Sequence, residues 1–436
     1  MFPSTRPIRR PLAARSSRGA FGAVLAAAFV IAVAACSPSP SASPTLDIGP
    51  SGATDQPSPS GPAASVDAAA VYAEIAAQVE AIRGLEPTAD VAPVLIDEAQ
   101  LRANLTADFD AQNPAAAIVT SERTLKALGL LDPGASLRAA YLDLQAGQVA
   151  GYYSPERNEL FVVSRSGGIG VTQKVTYAHE FTHQLQDQNF DLGALGLDAP
   201  DQGDRSLARL CLVEGDAVSA QATWMTSHLS TEELGQLLSD SLDPAALAAL
   251  QRAPAILRET ALFPYQGGQA FVAGLLAGGG EAAVDAAFGD PPGSTEQILH
   301  PEKFATRERP IAVHMPTGLA AGMGAGWAAS GDDTLGELVT GIWLHHGGLD
   351  PATANAAAAG WGGDRLELLT GPDGATALAL VSEWDTPADA AEFALAARTA
   401  MAGYGLVGDV EYVAGSTRVG LAIGANVDVL AGLLAA

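Results

Sequence analysis

The chain has 436 residues, 48% hydrophobic and 17% charged, with two cysteines and a formal charge of −26. That length holds more than one small domain, and two cysteines exclude a scaffold built on disulfides. So large an acidic excess leaves no basic patch for phosphates, which argues against nucleic acid and anionic lipid headgroups as partners.

Residues 1–18 carry Arg6, Arg9, Arg10, Arg15 and Arg18 with no acid, and Gly19–Ala35 is apolar, the pattern of an export leader. The stretch ends Val33-Ala34-Ala35-Cys36, which resembles a bacterial lipobox. The reading is a signal peptide over 1–35 and a mature chain starting at a lipidated Cys36. Its expected location is the extracytoplasmic face of the bacterial cell membrane; a plain secretory leader is the alternative. Residues 36–65 are rich in Ser, Pro, Gly and Ala and are expected as a disordered tether.

Val71, Ile75, Val79 and Ile82 recur at helical spacing, with Gly84 and Pro87 as stop signals. Further helices are expected over 97–105, 115–129 and 135–146, then a β-hairpin over 148–163 around a turn at Pro155. Long helices follow over 171–188 and 206–228, with others near 231–239 and 244–259. Ala261–Gly278 is apolar but broken by Pro264, Gly267, Gly268 and Gly274, so it reads as a core helix and not a membrane span. The last hundred residues predict helices at 333–346 and 351–359, strands at 366–370 and 376–383, a helix at 387–402, strands at 410–414 and 417–424, and a terminal helix. The fold class is α+β. A mainly helical domain with a small sheet is expected over 66–328, and a C-terminal α/β accessory domain over 329–436 with helices on one face of an antiparallel sheet.

The chemistry concentrates in Tyr177-Ala178-His179-Glu180-Phe181-Thr182-His183, an HExxH sequence in a helical stretch. Residues four apart share a helix face, so both imidazoles can converge on one ion. A catalytic zinc takes three protein ligands and keeps one position for water; Glu180 beside it can take a proton from that water and return it to a leaving amine. For a third ligand the chain offers Glu214, in the apolar run Leu210–Ala217, where an unpaired charge is costly and coordination explains it. Gly215 next to it lets a second helix come close. His300 and Tyr265, both in loop-like sequence, are candidate donors to a developing oxyanion, with an ordinary cap or loop hydrogen bond as the alternative for each. Cys211 lies among Leu207, Leu210, Leu212 and Val213 and reads as a buried, inert thiol.

HEFTH followed by Glu-Gly on a later helix resembles the gluzincin branch of the zinc metallopeptidases. The longer string from His179 to Leu192, HEFTHQLQDQNFDL, is similar to a family of bacterial secreted zincin-like proteins. Gly151–Pro155, Val213–Ala217, Ser294–Pro301 and Gly360–Arg365 share that likeness. The resemblance implies a zincin-like metallopeptidase domain over 66–328, Zn2+ on His179, His183 and Glu214, and Glu180 as general base toward a peptide or protein substrate. Zincins offer the edge of the strand before the active helix to an extended substrate; the hairpin is either that edge or an ordinary packing element. Many gluzincins place an Asp four residues after the Glu ligand, where this chain has Val218. Asp216 or Asp187 is therefore expected to supply the contact that orients a histidine. The rival expectation is a lipid-anchored envelope-binding or scaffold protein whose metal is structural.

Overall fold

The computed structural model describes residues 68–164, 168–199, 201–241 and 244–435; the expected leader, Cys36 and the tether lie outside the described residues. Helix α1 (Ala68–Arg83) buries Tyr72, Ile75 and Val79 on the face its periodicity predicts and stops at Gly84, which has φ +69°. A short strand, β1 (Pro93–Ile96), follows. Helix α2 (Glu98–Gln112) starts at an Asp97 cap and outruns its expected length, because Phe109 continues the spacing of Leu101 and Leu105. Helices α3 (Ala115–Ala127) and α4 (Leu137–Gln148) lead into the hairpin of β2 (Gly151–Ser154) and β3 (Glu159–Val163).

β2 pairs antiparallel with β3, and β3 pairs in parallel with β1, giving the order β1-β3-β2. The parallel partner escapes sequence reading, because its four residues carry no turn signal toward β3. Helix α5 (Val171–Phe190) packs against this sheet and holds the HExxH residues. Helices α6 (Gly203–His228), α7 (Thr231–Ser241) and α8 (Pro244–Arg252) come next.

The expected helix over 244–259 breaks at Ala253-Pro254, and α9 (Ala255–Gly279) runs straight through Pro264 and the glycines. Tyr265 is therefore in mid-helix and not in a loop. The glycines serve helix packing. A Cβ at Gly215 of α6 would lie 2.2 Å from the Gly268 carbonyl oxygen of α9, and one at Gly268 would lie 2.2 Å from that of Cys211. Gly215 thus admits α9, and not α5, to close approach. Short helices α10 (Glu281–Gly289), α11 (Thr295–Leu299), α12 (Pro301–Ala305) and α13 (Leu319–Met323) follow.

The C-terminal region contains β4 (Ala328–Asp333), α14 (Gly336–His346), α15 (Pro351–Ala358), β5 (Trp361–Thr370) and β6 (Thr376–Trp384). Helix α16 (Pro387–Tyr404), β7 (Gly408–Tyr412), β8 (Arg418–Gly424) and α17 (Val427–Leu434) complete it. The sheet is antiparallel throughout, in the order β4-β5-β6-β8-β7.

Helices cover both faces of this sheet, which corrects the one-face expectation. Leu366, Leu368, Leu378 and Leu380 pack with residues of α14, α15 and α16, whereas Leu369, Ala377, Ala379 and Ala422 pack with α13 and α17. The alanines keep the second face shallow enough for the apolar α17 to lie on it. The first of these cores runs on without a break into Leu125, Leu128, Leu144 and Ile256 of the helical region. Trp343 Nε1 donates to the Leu128 carbonyl at 3.0 Å. Among the described residues no single helix is long and apolar enough to cross a membrane.

Candidate metal centre

Helix α5 begins at Gly170, whose N–H is capped by Gln173 Oε1 at 2.9 Å, and ends at Asp191 with φ 56°. From Val175 to Gln186 every side chain in the helix is buried, polar ones included. Such a run must find internal partners for each polar group. His179 and His183, one turn apart, and Glu214 of α6 find one another. His179 Nε2 is 3.1 Å from His183 Nε2 and 3.2 Å from Glu214 Oε2, and His183 Nε2 is 3.3 Å from the same oxygen.

That triangle is the test of fit for a metal. Ligand atoms at roughly 2.0–2.1 Å from one tetrahedral ion are spaced about 3.3–3.4 Å from each other. The three donor atoms already stand close to that spacing, and two imidazoles with one carboxylate suit a divalent ion of borderline softness. At most one proton fits between the two Nε2 atoms that face each other at 3.1 Å, whereas a divalent ion would serve both of them and Glu214 at once.

The electrostatics point the same way. Burial pulls the His183 imidazole down, but the Glu214 carboxylate more than offsets this and lifts it to about 9. Burial alone would raise Glu214; His183 and His179 instead hold it down at about 2. His179 is pushed down by burial and by the neighbouring His183. Glu214 is thus an anion in the interior, and its neighbours are the two imidazoles.

Glu180 is 1% exposed, on the residue next to His179, under the start of β2. A side chain at Gly151 would strike Thr176 Cγ2 at 2.5 Å and come within 3.3 Å of Glu180 Cγ. Glycine at 151 therefore lets the edge strand β2 lie directly over the base candidate. All four β2 residues are buried, so in this structure its edge is covered.

Tyr265 comes in from α9. Its ring stacks on His179 with centroids 6.2 Å apart. Its hydroxyl bonds Glu214, and burial together with Glu214 and Glu180 pushes the phenol well above its usual value. It stays protonated and donates.

The orienting contact is a residue the sequence analysis passed over. Gln186 Oε1 sits 2.9 Å from His183 Nδ1, where the imidazole N–H donates to it, and Gln186 Nε2 donates to Val213 O and Asp216 Oδ2, both at 2.9 Å. Asp216 acts one bond further out than expected. It accepts from Arg83 Nε at 2.8 Å, and Arg83, 1% exposed, also meets Asp285 at 2.7 Å. The other candidate, Asp187, accepts from Tyr153 Oη at 3.0 Å and from the Leu192 N–H at 3.2 Å, so it ties the hairpin to α5 and does not orient a histidine. Position 186 is readable in principle as the residue one turn beyond His183. Val218, at the usual Asp position, packs among apolar residues beside Tyr265.

His300 does not join the cluster. Its Nε2 lies 2.9 Å from Glu337 Oε1 on α14, and it bridges the α11–α12 junction to the C-terminal region. The buried Glu337 needs a partner, and that need fixes the imidazole there. Cys211 is a buried free thiol, pushed well up by burial.

A family profile described as a domain of unknown function (DUF8575) matches residues 323–423, from the end of α13 to β8, and so includes none of His179, Glu180, His183 and Glu214. No curated protein and no solved structure matches the chain.

Proposed function

We propose that this protein is a zinc-dependent hydrolase of peptide bonds, a zincin-like enzyme tethered through Cys36 outside the cytoplasmic membrane. The observation that carries the reading is the buried triangle of His179, His183 and Glu214 with Glu180 on the adjoining helical position. Two imidazoles and one carboxylate are a known catalytic donor set for zinc, and they leave a position for solvent. When bound, zinc supplies Lewis acidity, which acidifies water and polarises a carbonyl.

The chain's own groups do the rest. Glu180 takes the proton from the attacking water and hands it to the leaving nitrogen. Tyr265 donates its one proton to Glu214 and fixes that carboxylate, and the same phenol could stabilise an oxyanion only by turning away from Glu214. Gln186 holds His183 in the tautomer whose Nε2 can ligate. β2, the edge strand over Glu180, is the strand against which an extended substrate would pair.

The test is Glu180→Gln. Zinc content is expected to match the wild type, and cleavage of an unstructured protein mixture is expected to fall at least a hundredfold, roughly the contribution of a general base. A mutant that keeps its activity removes Glu180 from the mechanism. A wild type that holds zinc and cleaves nothing favours the scaffold reading.

A further inference from the structure

A cavity of about 230 Å³ begins at Glu214 and Tyr265 and runs away from them between the helices. Along α6 its wall extends from Glu214 back to Gly203, and along α9 from Tyr265 back to Ile256. At the helical rise per residue these walls are about 16 Å and 14 Å long. The cavity is a slot, longer than any amino-acid side chain. Its far end lies at Asp333 and Val339, against the C-terminal region.

The walls are mostly apolar, and the polar groups among them are already committed. At the far end Asp204 accepts from Thr295, Asp333 accepts from the N–H groups of Gly203 and Thr334, and the Ser206 and Thr334 hydroxyls donate to the Gly196 and Asp364 carbonyls. Ser121, Thr124 and Thr260 donate to carbonyls of their own helices, Asn113 donates to the Phe109 carbonyl, and Gln145 Nε2 donates to Tyr141. A peptide strand in the slot would bring an N–H and a C=O per residue into walls that offer it little. An unbranched hydrocarbon chain brings none. Leu207, Leu210 and Ala261 line the slot and are only half-buried, so apolar surface is left for such a chain to cover.

We infer that the substrate is an N-acylated peptide or amine whose linear acyl chain occupies this slot, with the acyl carbonyl at the metal cluster. This rests on the hydrolase reading above and names its substrate class. The step balances as hydrolysis. Water oxygen bonds to the acyl carbon, the C–N bond breaks, and the proton taken up by Glu180 goes to the nitrogen. The products are a free carboxylic acid and a free amine.

Binding is tested without turnover, by titrating hexanol, octanol and decanol into the metal-free full-length protein. Affinity is expected to rise with each methylene, by up to about fourfold. Ala261→Phe, one turn from Tyr265, and Val339→Phe, at the far end, are expected to remove the gain for decanol while thermal melting stays cooperative. The second variant serves if the first does not fold. Equal, weak binding of all three alcohols, or unchanged decanol binding in the blocked variants, overturns the slot.

Turnover is then compared for acetyl- and decanoyl-glycinamide with zinc-loaded wild type, and decanoyl is expected to win at least tenfold. Cleavage of both at one rate overturns the acyl-chain inference and leaves the hydrolase standing. Graded alcohol binding with no cleavage of either keeps the hydrocarbon slot and ends the hydrolase reading.

Discussion

Two groups of three potential ligands lie among the described residues, and they are held together in opposite ways. At His179, His183 and Glu214 all three side chains are buried; at Glu296, Glu308 and Asp385 only the first is. The second group surrounds a cation that the chain itself supplies. Lys303 Nζ stands 2.5 Å from Glu296, 2.8 Å from Glu308 and 2.6 Å from Asp385. Burial still outweighs the ammonium and lifts Glu296 to about 7, whereas Glu214, deeper and beside two imidazoles, is held down at about 2. A third buried acid, Asp333, has backbone donors from Gly203 and Thr334, and burial takes it up to about 7. Proximity of three carboxylates is therefore not the signature of a metal site. What sets the buried group apart is an acid kept ionised in the interior by groups that can themselves become ligands.

Removing the ammonium is the harshest way to break this comparison. Lys303→Met leaves the buried Glu296 without its cation and is expected to cost about 3 kcal/mol at pH near 8. Near pH 6 the loss is smaller, because Glu296 then carries a proton. The folded value of Glu296 is raised, so its favourable contribution is complete below the unfolded value near 4.5 and is lost as pH rises through about 7. Denaturant melts at the two pH values check this, and an equal loss at both contradicts the assignment.

The candidate metal cluster is probed more gently through its support. Gln186→Leu keeps the volume but removes the acceptor for His183 Nδ1 and the donor to Asp216. Zinc affinity is expected to fall about 10- to 100-fold, with little change in the fold. Competition against a calibrated chelator measures it. An unchanged affinity would mean that His183 needs no orienting partner.

The candidate ligands were legible because HExxH is a local pattern and because Glu214 is an isolated acid in an apolar helix. Gln186 was not, although it lies in the same string. An amide between a histidine and a carboxylate has no charge signature, and a search for an orienting acid passes over it and stops at Asp216. Tyr265 was named for a wrong reason. Pro264 and the glycines around it suggest a loop, but the glycines are there for backbone contact between α9 and α6, and the helix continues through them. The alternation of apolar residues located the C-terminal strands. It did not show that their alanine face would be covered as well, because small residues carry little pattern. The parallel β1–β3 pair was invisible for the related reason that its partners are distant in sequence.

The third acid separates burial from hydrogen bonding. Both backbone N–H groups that reach Asp333 bond the same oxygen, Oδ1, at 2.8 Å. Asn at this position keeps an acceptor there and removes the charge. The carboxyl of Asp333 is raised to about 7 from an ordinary value of 3.8, so the folded protein binds the proton more tightly than the unfolded chain. Its contribution is complete below about 3.8 and declines as pH rises through about 7, after which the penalty is constant. Asp333→Asn is therefore expected to leave stability nearly unchanged near pH 4 and to raise it near pH 8, by up to about 4 kcal/mol. Paired melts across that range decide the matter. A mutant less stable at every pH would mean that the charges around Asp333, Arg365 among them, hold the carboxylate in its charged form.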